Sequence, residues 1–375
     1  MEEVWLNSKK IVMNIIIAIT ILVGFVFLII LDGLVRDTDT KHEIEKEILV
    51  KDLYKNNGLP ESQDISTEVL YEDEDKIYYS DRILEKFYFD IEKTRTVANI
   101  WNSIIAENSN SLNLFFVPIP PRIVYEQGYY NDEINYDKFI QELKRTLKNP
   151  ENLVDARVFL EPHKKEYLFF RTENSWTALS AYYTYNGLFL LMNALAIDMS
   201  DFEEFMFNSF RGNLYSKLML EVEYETYKSM EGIEEDKIYY YKPMDSKNIA
   251  INYKTENGTL VMEKGPVISQ SRGGLNNFIG SDFEYSVITG DKLVAEKSNK
   301  NALLICDRAG KLIAPFLGFS YDTLVVINLQ EYENLTNDYL SLINKYNIND
   351  VFWIQKADEM GVKALNKSIR DLIIE

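Results

Sequence analysis

Side chains able to carry out proton, metal or thiol chemistry are scarce in this 375-residue chain. It holds two histidines, His42 and His163, and one cysteine, Cys306. No Cys/His cluster is spaced to hold zinc, no internal disulfide can form, and neither a metal nor a cofactor is expected. One turn has the composition of a site. Asp307-Arg308-Ala309-Gly310 follows the apolar run ALLICD (Ala302–Asp307) and opens a helical stretch. In an α/β sheet, ligands sit beyond the carboxyl ends of the strands, and backbone N–H groups at such a turn can cradle an oxyanion. The plainer reading is an ordinary strand-to-helix turn with Asp307 as its cap.

The elements that would position this turn alternate. Helical spacing runs through Ile91, Val97, Ile100, Trp101, Ile104 and Ile105, and the apolar run Leu112–Pro118 predicts a buried strand stopped by Pro118, Pro120 and Pro121. A helix follows at Tyr136–Leu147, strands at Asp155–Leu160 and Tyr167–Phe170, and a long helix at Thr177–Leu195. The texture turns to β around Asp236–Met262, with Asn257-Gly258 as a hairpin signal. Beyond it come strand Ala302–Asp307, helix Lys311–Leu317, strand Thr323–Leu329, helix Asn334–Tyr346 and strand Asp350–Gln355. Short apolar strands separated by helices predict an α/β fold with a mainly parallel sheet flanked by helices, carrying an inserted β-rich segment at about 220–295.

Composition sets the outer limits. Lys plus Arg number 40 and Asp plus Glu 59, a net charge of −19, which argues against nucleic acid as a partner. The apolar fraction of 46% and the 13% aromatics exclude a disordered chain. From Ile11 to Leu31 the chain reads IVMNIIIAITILVGFVFLIIL without a charge. Such a stretch, at ~1.5 Å per residue, spans a hydrocarbon core of roughly 30 Å, so a single-pass anchor is expected. A cleaved signal peptide is the competing reading, but the apolar stretch is long for one and no small-x-small site follows. Lys9 and Lys10 favour a cytoplasmic tail at residues 1–10 and an extracytoplasmic remainder. Residues 32–90, with a short amphipathic helix around His42–Tyr54, read as a stalk, and 91–375 as the folded domain.

Two stretches carry a resemblance. LFFRTENSWTALSAYYTY (Leu168–Tyr185) resembles the signature of the DHHW family, in which an acid and two histidines precede a tryptophan; Arg171, Thr172, Trp176, Thr177, Ala181, Tyr182, Tyr183 and Tyr185 fit it. LLICDRAGKLIAPFLGFSYDTLVVINLQEY (Leu303–Tyr332) is similar to that family's strand ending in Asp-Ser-Tyr, followed by a helix closing in Pro-Phe-Leu, through Asp307, Ala314, Pro315, Phe316 and Leu317. Weaker echoes are Val117-Pro118, Gly212-Asn213-Leu214-Tyr215 and Asp350–Gln355, so the resemblance runs from about Val97 to Gln355. It implies an SGNH-hydrolase-like domain, related to alginate O-acetyltransferases. Those proteins act on polysaccharides outside the cytoplasmic membrane, beside membrane-bound O-acyltransferases, through a serine nucleophile, a histidine base and an acid.

This chain departs from that pattern where the chemistry is done. Glu173 takes the acid position, Asn174 and Ser175 the two histidine positions, and Arg308 the nucleophile position. Neither Asn174 nor Ser175 is a base near pH 7, and a guanidinium does not attack a carbonyl. No catalytic residue is therefore expected. Glu173, Asn174, Ser175, Trp176, Asp307, Arg308 and Lys311 would form a vestigial active site. An Arg308–Glu173 ion pair would plug it; alternatively Arg308, Lys311 and Trp176 would bind an anionic sugar, with the tryptophan as a stacking face. Otherwise Trp176 is simply core and Arg308 solvated. The Tyr239-Tyr240-Tyr241 run suggests either a carbohydrate platform or packed strand faces. The expected role is a membrane-anchored pseudoenzyme accessory to cell-envelope polysaccharide O-acylation, binding the polymer or a membrane-bound O-acyltransferase. The alternatives are an envelope assembly protein acting through protein contacts, and an O-acetyltransferase or esterase with a non-standard site.

Overall fold

Three antiparallel strands, Val69–Glu72 (β1), Lys76–Tyr79 (β2) and Ile83–Glu85 (β3), come first in the described part of the chain. The computed structural model describes residues 66–360 except 67, 109–111, 127–129, 208, 244–247, 257–258, 269–274, 276–277, 279–282, 291–299 and 331–338. These belong to the second of two units, Pro60–Glu375. The Ile11–Leu31 span and the helix expected at His42–Tyr54 lie outside the described residues, and no described helix is long and apolar enough to cross a membrane. The stalk reading of 32–90 fails at its end. Ile77, Tyr78, Ile83, Leu84 and Phe87 are all buried, so this segment packs as part of the folded unit.

The main sheet alternates its side chains between two cores. Asn113–Ile119 (β4), Asn248–Glu256 (β7), Thr259–Pro266 (β8), Tyr285–Gly290 (β9), Asn301–Cys306 (β10), Thr323–Asn328 (β11) and Ile348–Lys356 (β12) form it, in the order β4-β12-β10-β11-β9-β7-β8. A separate ribbon pairs Phe202–Met206 (β5) with Tyr239–Pro243 (β6). β4, β12, β10 and β11 are mutually parallel, whereas β9, β7 and β8 add on antiparallel. The sheet is thus mixed, and the β-rich segment expected as an insertion supplies three of its strands. β7 and β8 pair with Glu256 opposite Thr259, while the Asn257-Gly258 hairpin signal itself lies outside the described residues. Pro118 lies inside β4 instead of ending it; β4 is an edge strand, where a missing N–H costs no ladder bond.

Leu303, Ile305, Val325, Ile327, Val351 and Trp353 face one core, and Ala302, Leu304, Cys306, Leu324, Val326, Phe352 and Ile354 the other, as a period of two requires. The first core is closed by helix Ile91–Asn108 (α1) and helix Tyr130–Thr146 (α2). Asp90 Oδ1 caps α1 by accepting from the N–H groups of Glu92 and Lys93, each at 3.0 Å. Its Trp101 stacks on Phe116 of β4, with ring centroids 4.4 Å apart. Tyr136, Phe139, Ile140 and Leu143 form the buried stripe of α2. The second core receives helix Ala178–Leu191 (α3) and helix Ala314–Ser320 (α6); between these in the chain lie Asn213–Glu221 (α4) and Tyr224–Met230 (α5).

Two expected strands are absent. Arg157–Leu160 is a helical turn, begun by Asp155 Oδ1 accepting from the Arg157 N–H at 3.1 Å. Tyr167–Phe170 makes a single bridge, Phe169 to Trp176, because the neighbouring backbone groups close a tight loop (Phe170 N–H to Ser175 O, Thr177 N–H to Leu168 O).

The turn after β10 is held against β12 by close approach at Gly310. A Cβ there would stand 2.2 Å from the carbonyl oxygen of Ile354 and 2.7 Å from Cβ of Cys306. Gly310→Ala is expected to lower unfolding free energy by about 1–3 kcal/mol, measured by urea denaturation. An unchanged midpoint would show that β12 yields to the turn.

Candidate functional site

The turn after β10 and the loop 168–177 meet at the carboxyl edge of the parallel strands. Trp176 Nε1 donates to the carbonyl of Ala309 at 2.8 Å, so residues 133 positions apart are joined directly. Asp307 is wholly buried and acts as a two-sided brace. Its Oδ1 accepts from the Gly310 N–H at 2.7 Å, and its Oδ2 from the Lys356 N–H, at the end of β12, at 2.8 Å. Burial raises its pKa, and the Glu359 carboxylate adds to the rise; the two N–H bonds and the Lys356 charge oppose it. The cap reading of Asp307 thus holds, with a second bond across the sheet.

The loop 168–177 is organised by a residue that carries no sequence signal. The buried Asp236 carboxylate accepts from the Tyr167 hydroxyl, from the Arg171 N–H at 2.6 Å, and from both the N–H (2.8 Å) and hydroxyl of Thr172. The Thr172 hydroxyl oxygen in turn accepts the Gly212 N–H at 2.8 Å, and its carbonyl the N–H groups of Leu214 and Tyr215. Glu173 Oε2 accepts the Asn213 N–H at 2.8 Å, a carboxylate seated at the first turn of α4. The weak Gly212–Tyr215 echo therefore lies against the loop. Gly212 is needed there because a Cβ would stand 2.4 Å from Cβ of Glu173. Burial raises the pKa of Glu173, partly offset by the Asn213 N–H and the charges of Arg308 and Lys356.

The other expected site residues do not form a binding face. Trp176 is fully buried, which removes it as a stacking surface for a sugar, and Lys311 is buried as well. Ser175 is buried, its hydroxyl donating to the Trp176 carbonyl at 3.2 Å. Asn174 is half-buried, and its amide donates to Glu85 of β3 and to Asp358 Oδ2 at 2.8 Å, tying β3 to the turn after β12. Arg308 is half-buried, with its Nε lacking a hydrogen-bond partner. Among the described residues it makes no ion pair within 4.0 Å, so the expected Arg308–Glu173 plug is not formed.

What closes the site is β3. The Ile83 N–H donates to the Arg171 carbonyl at 3.0 Å. Ile83, Leu84 and Glu85 line the cavity beside Glu173, Asn174 and Ser175, leaving about 10 Å³, room for at most one water. Glu85, Asp236 and Asp358 were invisible to sequence reasoning, since each comes from a segment with no motif. His163 does not line this cavity. It is buried, its Nδ1 lies 2.7 Å from Glu166 Oε1, and its ring stacks on Tyr183.

A family model described as "DHHW protein" matches residues 148–327, a range that contains both the 168–177 loop and the turn after β10. The DHHW resemblance is shown. A DHHW family protein from Eubacterium siraeum DSM 15702 has a similar structure, with TM-score 0.63, 18% identity, and coverage of 79% of this chain and 94% of that one. Bacillus cereus PatB1 is similar at TM-score 0.59 and 13% identity, covering 77% of this chain and 98% of its own. A second PatB1 structure, with a sulfonyl adduct, matches at TM-score 0.56 and 14% identity, with coverages of 77% and 96%. At these identities the likeness establishes the fold. No curated protein matches the chain.

At the 168–177 loop, Asp236→Ala would strip the acceptor from two backbone N–H groups and two hydroxyls. It is expected to cost at least about 3 kcal/mol in urea denaturation. A loss below 1 kcal/mol would mean that the loop finds other acceptors.

The raised Glu173 carboxyl makes a signed prediction. An acid whose pKa is higher in the folded state contributes favourably below its unfolded value of about 4.3, and that contribution is lost as pH rises through the folded value. Glu173→Gln keeps an acceptor for the Asn213 N–H and cannot ionise. The variant should therefore gain stability relative to the native chain as pH rises above about 4.3, read as the difference in urea midpoints. A difference moving the opposite way would mean that Arg308 and Lys356 outweigh burial.

Proposed function

We propose that this chain is a membrane-anchored, extracytoplasmic DHHW-type protein without acyl-transfer chemistry of its own. It would serve cell-envelope polysaccharide O-acylation as an accessory, binding the polymer or docking a membrane-bound O-acyltransferase. The observation that carries the reading is the closed motif site. Glu173, Asn174 and Ser175 share a cavity of about 10 Å³ with β3, and the resemblance puts Arg308 at the nucleophile position.

Acyl transfer needs a hydroxyl whose proton an adjacent base removes, and an oxyanion pocket wide enough for the ester. Here the Ser175 hydroxyl is turned to the Trp176 carbonyl, and Asp307 spends both its oxygens on backbone N–H groups. The Asn174 amide bridges two carboxylates, Glu85 and Asp358. Arg308→Ser with Ser175→His would restore two side-chain types without making room for them.

The anchor rests on the uncharged Ile11–Leu31 span. A reporter active only outside the cytoplasm, fused after Glu375, should be active, with the protein resisting carbonate extraction. An inactive fusion would refute the topology.

For the chemistry, full-length protein in mild detergent should show no acetyl-ester hydrolysis above background, and the Arg308→Ser/Ser175→His variant should stay inactive. Loss of a triad leaves at most ~10³–10⁴-fold over water from binding and oxyanion stabilisation. Turnover by the native chain that Glu173→Gln or Arg308→Ala abolishes would overturn the reading.

A further inference from the structure

A second cavity, of about 270 Å³, shares no lining residue with the closed motif site. Arg171 and Thr177 reach it from the 168–177 loop, Tyr167 from just before that loop and Leu179 from α3, while β5, β6 and the segment before β6 supply the rest. Its chemistry is mixed. Glu204, Glu234 and Glu235 face Arg171 and Lys237, three carboxylates against two cations. Arg171 Nη1 pairs with Glu234 Oε2 at 2.6 Å.

Three tyrosines complete the lining, Tyr167, Tyr239 and Tyr241. The Tyr167 hydroxyl is committed to Asp236, and burial pushes its pKa far up. Burial and the Glu204 carboxylate do the same for Tyr241. Both stay neutral phenols, held by their hydroxyl ends. The Tyr239-Tyr240-Tyr241 run thus divides. Tyr240 stacks on Phe205 and Phe207, with centroids 5.0 and 4.4 Å apart, while Tyr239 and Tyr241 line the cavity.

Each ligand class meets this lining differently. A phosphate or uronate would meet three carboxylates. An apolar ligand would strip water from Glu204 and Glu235 and return no hydrogen bond. A neutral polyol satisfies both signs, because each hydroxyl donates to a carboxylate and accepts from Arg171 or Lys237, while its C–H face covers a tyrosine ring. The volume lies just below the usual range of about 300–1,000 Å³ for small-molecule clefts, so it suits one sugar ring. We propose that this pocket binds a single pyranose unit of a neutral saccharide. The site is separate from the motif site and does not depend on whether that site has lost its chemistry.

The test is saturation-transfer NMR on full-length protein in a non-glycosidic detergent. The probes are neutral methyl pyranosides (gluco, galacto, manno and N-acetylglucosaminide), with glucosamine and glucuronate as charged probes. At least one neutral pyranoside should receive saturation. Its affinity should fall at least about tenfold in Tyr239→Ala and in Glu204→Gln, with Tyr239→Phe retaining binding, and Arg308→Ala should leave it unchanged. Circular dichroism spectra matching the native chain show that the variants are folded. No transfer to any neutral probe, binding of glucosamine or glucuronate alone, or binding lost in Arg308→Ala but kept in Tyr239→Ala would each overturn the proposal. Because ester hydrolysis is read separately, failure here and failure of the inactive-site reading are distinguishable.

Discussion

A single buried carboxylate holds the functional end of this molecule together. Asp236 takes two backbone N–H groups and one hydroxyl from the loop 168–177, and a second hydroxyl from Tyr167 just before it. A charge can be buried only when its lone pairs are taken up, and here all four donors come from one short segment. The loop so fixed sends Trp176 into the core to meet Ala309, and presents Thr172 and Glu173 to the first turn of α4. Without that anchor the carboxyl edge of the parallel strands would lose its cover. Tyr167 and Arg171 are also shared with the larger pocket, so one anchor shapes both cavities.

The second constraint is steric. Gly212 and Gly310 allow backbone contacts that any side chain would block, at the loop and at the turn after β10. Between them the motif positions are drawn in until β3 fills the remaining space. Asn174 then bonds to Glu85 and Asp358, an arrangement suited to a structural crosslink. The positions that carry the resemblance are packed like a core.

Much of this was legible in the sequence. The strands 301–306, 323–328 and 348–356 were apparent because buried parallel strands read as short apolar runs. The α1 and α2 stripes follow from helical spacing. The turn at Asp307–Gly310 was visible because it follows such a run. Other features were hidden for physical reasons. β1–β3 sit in an acidic, turn-rich stretch whose few apolar residues pack only in tertiary context. Asp155–Leu160 carries strand-like residues, but a local aspartate cap turns it into a helix. Asp236, Glu85 and Asp358 act across 64, 89 and 184 positions, and no local pattern encodes such partners. Trp176 looked available for stacking because sequence gives residue type and not burial.

The most direct test of the proposal that the site lacks a nucleophile is covalent labelling. Full-length protein in mild detergent, treated with phenylmethanesulfonyl fluoride and read by intact mass and peptide mapping, should carry no sulfonyl adduct at Ser175 or within 307–311. An adduct at Ser175, lost on Glu173→Gln, would contradict it.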